Sequence, residues 1–352
     1  MHAWQIVDFG KPLEPRDYPD PEPAGTQVLL RVTGCGVCHS DLHLWDGYFD
    51  LGGGKRLDLG GRGMTLPFTM GHEIVGEVIA LGPDAEGVAI GQRRVVFPWI
   101  GCGECPECRR GEELLCAAPR TLGVRYGGGY ADRVMAPHPR YLVDFDGIDE
   151  ALACTYACSG VTAYSALKKA AAGLTADDSL LVIGAGGVGL SAVQMAGAVT
   201  PARIVVADID EAKRAAALRA GAVAAVDNGA DGALRRLREV TGGSGPAAAI
   251  DFVGAPATAQ FGFDGIRRGG ALIIVGLYGG ALPLPTAMFP LKMARVIGSY
   301  VGSLTEMHEL MALVRSGRVP AIPIGTRPLR EVNATLDDLR GGRIVGRVVL
   351  RP

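Results

Sequence analysis

The chain carries almost no net charge: 35 Lys and Arg stand against 37 Asp and Glu, a formal −2 at pH 7. Its cations are scattered, apart from short pairs such as Arg109-Arg110 and Arg235-Arg236. Such a surface offers no basic stripe to a nucleic acid or an anionic membrane, so neither is expected as a partner. Long unbroken apolar runs are missing too. The longest, Leu180 to Val199, is interrupted by five glycines, which argues against a membrane span. The first residues, MHAWQIVDFGKPLEPRDYPDPEP, lack the basic segment and apolar run of a signal peptide. There is no internal repeat and no low-complexity linker. A cytoplasmic chain with reduced thiols is the expectation.

Glycine, by contrast, is abundant at 52 residues, as suits a fold with many turns and close backbone approaches. A length of 352 residues exceeds one ordinary core, so two domains are expected. The chain falls into two textures. Up to about Asp149 it is rich in Gly and Pro, and Thr26–Val32, Ile74–Leu81, Arg93–Phe97 and Tyr130–Ala136 read as strands between turns. No long helical period occurs there, which predicts an irregular β-barrel. From about Thr162 to Val275, short apolar runs (LLVIG, RIVVAD, AVAAVD, AAAIDFVG, ALIIVG) alternate with Ala-rich stretches of helical length. That alternation predicts right-handed crossovers and a parallel sheet. The tail returns to one helix (Leu304–Ser316) and a closing strand in GGRIVGRVVL.

Within the alternating half, SLLVIGAGGVGLSAVQMAG places Gly184, Gly186 and Gly189 directly after a strand and at the mouth of a helix. Gly184 permits the tight turn, Gly186 lets the backbone approach a pyrophosphate, and Gly189 lets the helix pack close to the strand. The next strand, RIVVAD, ends in Asp208, nineteen residues past Gly189. A carboxylate there accepts from both ribose hydroxyls and repels a 2′-phosphate. With Ile209 following and no Arg beside it, NAD is expected over NADP. Lys213 can also reach the ribose.

Half of the eight cysteines sit in GCGECPECRRGEELLC, as Cys102, Cys105, Cys108 and Cys116. The spacing C-x2-C-x2-C-x7-C suits one tetrahedral zinc, with Zn–S distances of about 2.3 Å. Disulfides would need an oxidising compartment and differently placed thiols. Two further fragments, GCGVCHSDLHLW and MGHEIVGEV, supply Cys38 and His72, ligand types for a borderline metal, with Glu73 next to the histidine.

With these motifs in place, the chain resembles the zinc-dependent medium-chain alcohol dehydrogenase family. The resemblance runs through GVCHSDLH, GHEIVGEV, the four-cysteine loop, CSGVTAYSAL, GAGGVG and the closing GRVVL. It implies a GroES-like catalytic β-barrel domain (residues 1–152 and 293–352, with a structural zinc loop at 101–116) and an inserted Rossmann domain (153–292). It implies two zinc ions per chain. One is held by the four-cysteine loop, the other by Cys38, His72 and a third ligand from ACTYACSGVTAY. Cys154 and Cys158 compete for that last place, and the family's spacing to Thr162 and Tyr164 favours Cys158. Cys154 and Cys35 then read as small buried hydrophobes. Asp41 would orient His72, and Glu73 would lie beside the metal and coordinate it transiently during exchange.

The resemblance further implies that an alcohol binds the zinc as an alkoxide and gives a hydride to NAD, while its proton leaves through Ser40 and His43. His39 and Arg347 would contact the pyrophosphate, Thr162 would pack against the nicotinamide, and Gly187, Val188 and Val253 would complete the cofactor site. Tyr48, Phe49 and Trp99 are the expected pocket walls. The Gly-rich stretch 46–70 is similar to that of bacterial 6-hydroxyhexanoate dehydrogenases, where Lys55, Arg56 or Arg62 would hold a distal carboxylate. Aryl, allylic and polyol alcohols remain alternatives. A non-catalytic cofactor-binding protein on the same scaffold is the reading from another class, and it would be expected to have lost Ser40, His43 or a metal ligand. A homodimer or homotetramer is implied, pairing through a strand near Val296–Tyr300.

Overall fold

The computed structural model describes all 352 residues, apart from the side chain of Arg62. Two sheets organise it. The first has seven strands, in the order Leu142–Val143, Arg93–Val96, Glu73–Leu81, Val28–Gly36, Arg347–Arg351 and Ile324–Pro328, with Arg133–Ala136 also pairing on Val28–Gly36. Val28–Gly36 is its spine, and the register slips at Leu29/Leu30 and again at Val32/Gly34. Such irregularities bend a strand and increase its twist, here just before the chain enters the segment that carries Cys38. The predicted strands are all present to within a few residues. The largest offset is at the end of the first, where Val28–Gly36 runs four residues past Val32; at Tyr130 the backbone N–H donates to Met70 (3.0 Å) and the carbonyl accepts from Trp4 (2.7 Å), so regular pairing begins only at Arg133.

The second sheet is six-stranded and wholly parallel: Ala224–Val226, Arg203–Ala207, Ser179–Ile183, Ala248–Asp251, Ala271–Ile274 and Arg295–Gly298. In sequence order this is 3-2-1-4-5-6, the doubly wound arrangement that binds dinucleotides where the strand order reverses. Ser179–Ile183 is buried at every residue, as expected of a central strand covered on both faces. One boundary needs correction. The expected division at 292/293 falls too early, because Arg295–Gly298 pairs in parallel with Ala271–Ile274 and completes this sheet. It is the edge strand expected near Val296–Tyr300, and it belongs with the parallel domain.

The chain then returns to the first sheet. Arg347–Arg351 pairs antiparallel with Val28–Gly36 through Val349↔Gly36 and Leu350↔Cys35. The parallel domain is therefore inserted into the GroES-like one, and the last strand starts at the seam between them. No helix among the described residues is long and apolar enough to cross a membrane.

Candidate metal and dinucleotide sites

Cys38, His72 and Cys158 come together at the seam, all buried, with their ligand atoms within 4.8 Å of one another. Each is placed by a local device. Cys38 precedes the helix His39–Asp46, and Asp41 in its first turn reaches back to accept from the Cys38 N–H at 2.9 Å. The same carboxylate oxygen accepts from Tyr130 Oη at 2.8 Å, and the other faces His72 Nδ1 at 3.3 Å. That fixes the ring and leaves His72 Nε2 buried with no hydrogen-bond partner among the described residues. Cys158 lies in a π-helical turn, Tyr156–Gly160, between the helices Glu150–Thr155 and Val161–Ala171. Turns of this kind recur at functional sites because the extra residue re-aims a side chain. Cys154 is turned elsewhere, its thiol donating to the Glu73 carbonyl at 3.0 Å.

The two sulfurs stand 3.9 Å apart. Hydrogen bonding from Cys158 holds the Cys38 thiol well below its usual range against the opposing effect of burial, with His72 adding to the lowering. Cys158, keeping the shared proton, is pushed up. Two cysteine sulfurs and an imidazole nitrogen with no hydrogen-bond partner among the described residues are a donor set for zinc, which would displace their protons on binding. In the loop 101–116, the four cysteines likewise lie within 4.8 Å of one another. Backbone N–H groups of Glu104 and Cys105 donate to Cys102 Sγ at 3.4 and 3.3 Å and hold it down to about 6, which suits a thiolate ligand.

Glu73, expected beside the metal, is fully buried but stands outside the cluster of donors. Its Oε1 accepts from Ser159 N at 3.0 Å, and its Oε2 faces Arg347 Nη2 at 2.6 Å. Arg347 in turn lies against the glycine-rich turn, since a Cβ on Gly187 would meet its Cδ at 2.6 Å. Nε and Nη2 of Arg347 are buried donors without an aligned acceptor among the described residues. An anionic phosphate at the turn would satisfy them.

The turn itself follows the strand Ser179–Ile183 and opens the helix Gly187–Val199. Gly184 has φ +87°, and a Cβ on Gly189 would lie 1.8 Å from the Gly184 carbonyl, so neither position admits a side chain. Around Gly186 the space is open. Val253 packs on Gly184, and its N–H is held by buried Asp251 at 2.9 Å. Val188 is partly buried, and Thr162 is buried on the helix Val161–Ala171. Asp208 accepts from Ala185 N and Asp210 N at 2.8 and 2.9 Å. Here the sequence reading missed Arg214: one helical turn brings its guanidinium to the Asp208 carbonyl at 2.8 Å, with Asp227 at 3.5 Å. His39 keeps solvent contact, yet desolvation and the charges of Arg347, Lys213 and Arg340 hold its ring below the usual range. Arg340, stacked on Trp45 at 4.5 Å, has no sequence signal.

Ser40 Oγ is 3.9 Å from Cys38 Sγ. His43 stacks on Phe49 at 4.8 Å and lies 6.0 Å from His39. A cleft of about 850 Å³ opens here, lined by Phe49, Trp99, Tyr300 and the turn at 124–126. Trp99 forms its inner wall, 5.4 Å from the His72 ring. Tyr48, expected on the wall, instead carries Arg56 over its ring at 4.0 Å and does not line the cleft. Tyr48–Gly52 and Lys55–Asp58 form an antiparallel hairpin, on whose second strand Lys55 and Arg56 are exposed and are not among the cleft-lining residues. The Arg62 side chain lies outside the described residues.

A doubly wound sheet whose glycine turn faces a buried two-sulfur, one-imidazole site defines a metal-assisted, nicotinamide-dependent oxidoreductase. Comparisons with known proteins narrow the class. Residues 24–146 match the alcohol dehydrogenase GroES-like domain, and 187–316 match the zinc-binding dehydrogenase domain. An NAD-dependent alcohol dehydrogenase of Sulfurisphaera tokodaii is 38% identical, and one of Saccharolobus solfataricus 37%, each over 100% of both chains. The crystal structure of an alcohol dehydrogenase from Aeropyrum pernix superposes with a TM-score of 0.91 at 34% identity, covering 100% of both chains. The chain belongs to the zinc-dependent medium-chain alcohol dehydrogenase family, and it is an NAD-dependent enzyme with a zinc-binding domain.

Proposed function

We propose that the chain oxidises primary or secondary alcohols at the seam, with Cys38, His72 and Cys158 as catalytic zinc ligands and Cys102, Cys105, Cys108 and Cys116 holding the structural zinc. The observation that carries this reading is the difference between the two donor clusters. The loop offers four sulfurs, as closed structural sites do, whereas the seam offers three donors, as catalytic sites with an open position do. When bound, zinc supplies the Lewis acidity that lowers the hydroxyl pKa, and NAD accepts the hydride.

The chain's own groups do the rest. Asp41 holds His72 in orientation, and Ser40 takes the hydroxyl proton and passes it on towards His43. Gly184, Gly186, Gly187, Val188 and Gly189 form the pyrophosphate turn with Arg347 and His39, Asp208 and Lys213 bind the ribose, and Thr162 and Val253 flank the nicotinamide. Glu73 is ion-paired rather than ligating in the resting arrangement.

Initial rates of NADH formation across benzyl, short primary, secondary and ω-hydroxy-acid alcohols test the reading, with NADP beside NAD and with a zinc chelator. Chelator-sensitive turnover preferring NAD is expected. Turnover that survives loss of the seam metal would sink it.

Burial holds the His43 ring below the usual histidine range. It is therefore neutral at pH 7 and becomes charged only as pH falls below about 6.5. Alcohol oxidation should show an acid limb in that lower range, as the relay loses its acceptor. His43→Gln should remove that limb and reduce kcat by up to about a hundredfold, with partial rescue by added imidazole. A limb unchanged by the substitution would exclude His43 from the relay.

For assembly, the exposed edge of the parallel sheet at Arg295–Gly298 lies close in sequence to exposed Met293 and Tyr300. It is the surface on which a second copy would pair. None of the eight cysteines is in a disulfide, which suits the reducing cytoplasm.

A further inference from the structure

The outer wall of the cleft holds a cation that neither the metal site nor the dinucleotide site uses. Arg125 lines the cleft and is its only cationic lining residue among those described. No carboxylate among the described side chains forms an ion pair with it. The acids that share the lining are already engaged. Asp50 accepts from Gly52 N at 2.8 Å. Glu113 accepts from Gly101 N, Tyr141 Oη and Arg140 at 2.7, 2.8 and 2.9 Å. Much of the remaining lining is apolar, including Phe49, Leu57, Met64 and Leu114.

The position of Arg125 is fixed relative to the metal site. Its turn is closed by Arg125 N and Tyr126 N donating to the Thr121 carbonyl at 2.9 and 3.0 Å, and by Gly123 N donating to Tyr126 at 2.7 Å. The following residues are laced to the segment that leads into His72: Gly128 N to Thr69 at 2.9 Å and Gly129 N to Gly71 at 2.8 Å. On the cleft side, His72 touches Trp99 and Trp99 meets Tyr300 edge-on at 5.5 Å. Arg125, exposed on a turn whose backbone is held, thus shares the cleft with Tyr300 and Trp99, the ring that touches His72.

We propose that Arg125 is a specificity residue that binds a carboxylate at the end of the substrate remote from its hydroxyl. The favoured substrates are then hydroxy acids whose two functional groups are separated by an apolar chain. The guanidinium fork matches a carboxylate in two parallel hydrogen bonds. This deepens the alcohol dehydrogenase reading and rests on it. It also moves carboxylate recognition from the hairpin residues Lys55 and Arg56 to the opposite wall.

The test compares kcat/KM for a straight-chain ω-hydroxy acid and its methyl ester, in the wild type and in Arg125→Ala, Arg125→Lys and Lys55→Ala/Arg56→Ala. The wild type should prefer the acid. Arg125→Ala should lower the acid-to-ester ratio by about ten- to a hundredfold, mainly through KM for the acid, and Arg125→Lys should restore part of it. The hairpin double variant should keep the ratio within about twofold, and added salt should weaken the preference wherever Arg125 is retained. Oxidation of both substrates without preference, or a preference that Arg125→Ala leaves intact, overturns the inference while the alcohol dehydrogenase reading stands. Failure of the wild type to oxidise any alcohol overturns both.

Discussion

Replacing Cys158 with alanine is expected to remove one of two metals per chain and to lower alcohol oxidation by at least about a thousandfold, since a bound metal shifts the pKa of a coordinated oxygen by many units. The sulfur is buried and 3.9 Å from Cys38 Sγ. Its loss leaves one thiolate and one imidazole, too few to hold zinc. Cys154→Ala is the matched control, four residues away and equally buried. It removes a thiol hydrogen bond to the Glu73 carbonyl, at a cost of about 1 kcal/mol, and should keep both metals. Elemental analysis of the purified variants beside their kinetics decides the matter. Retention of two metals by Cys158→Ala, or loss of one by Cys154→Ala, would reverse the assignment of the third ligand.

How the candidate site could be read from sequence depended on how local its geometry is. The four-cysteine loop is self-contained between Cys102 and Cys116, so spacing alone announces it. The glycine turn is nearly as local, because strand, turn and helix follow one another without a break. The seam site is different. Its ligands come from residues 38, 72 and 158, and what joins them is packing: a slipped register before Cys38, the double hold of Asp41 on His72 and Tyr130, and a π-helical turn at Cys158. No periodicity marks a single extra residue in a helix, so only the family's spacing separated Cys158 from Cys154. Arg214, Arg340 and Arg125 were invisible for a related reason. A surface arginine has the same signature whether it faces solvent, a ribose or a cleft, and only the folded chain tells these apart. The hairpin cations were over-read on that account: Arg56 has the right charge, but its partner is the Tyr48 ring.

Arg347→Leu should separate two roles that converge on one side chain. The guanidinium is 5% exposed and faces the fully buried Glu73 carboxylate at 2.6 Å. Removing one member of such a pair leaves an uncompensated buried charge, at a cost of about 3–5 kcal/mol. The sign of its pH dependence follows from Glu73. Burial already holds that carboxyl above the usual range, and Arg347 pulls it back down, so its pKa rises further in the variant. An acid with a raised folded-state pKa is best tolerated protonated. The deficit should therefore be small below the unfolded value of about 4.3 and grow as pH rises through the folded one. Arg347→Leu/Glu73→Gln should recover much of the lost stability, because no charge is then left unpaired. It should not recover NAD affinity. The Arg347 guanidinium, whose side chain lies against Gly187, is absent from both variants, and losing charge-assisted hydrogen bonds to a phosphate weakens binding by about ten- to a hundredfold. Thermal unfolding across pH, measured beside NAD titration of the free enzyme, reads the two effects independently. Recovery of NAD affinity together with stability would show that Arg347 serves only to neutralise Glu73. A stable single variant at neutral pH would show instead that Glu73 is already protonated in the native enzyme.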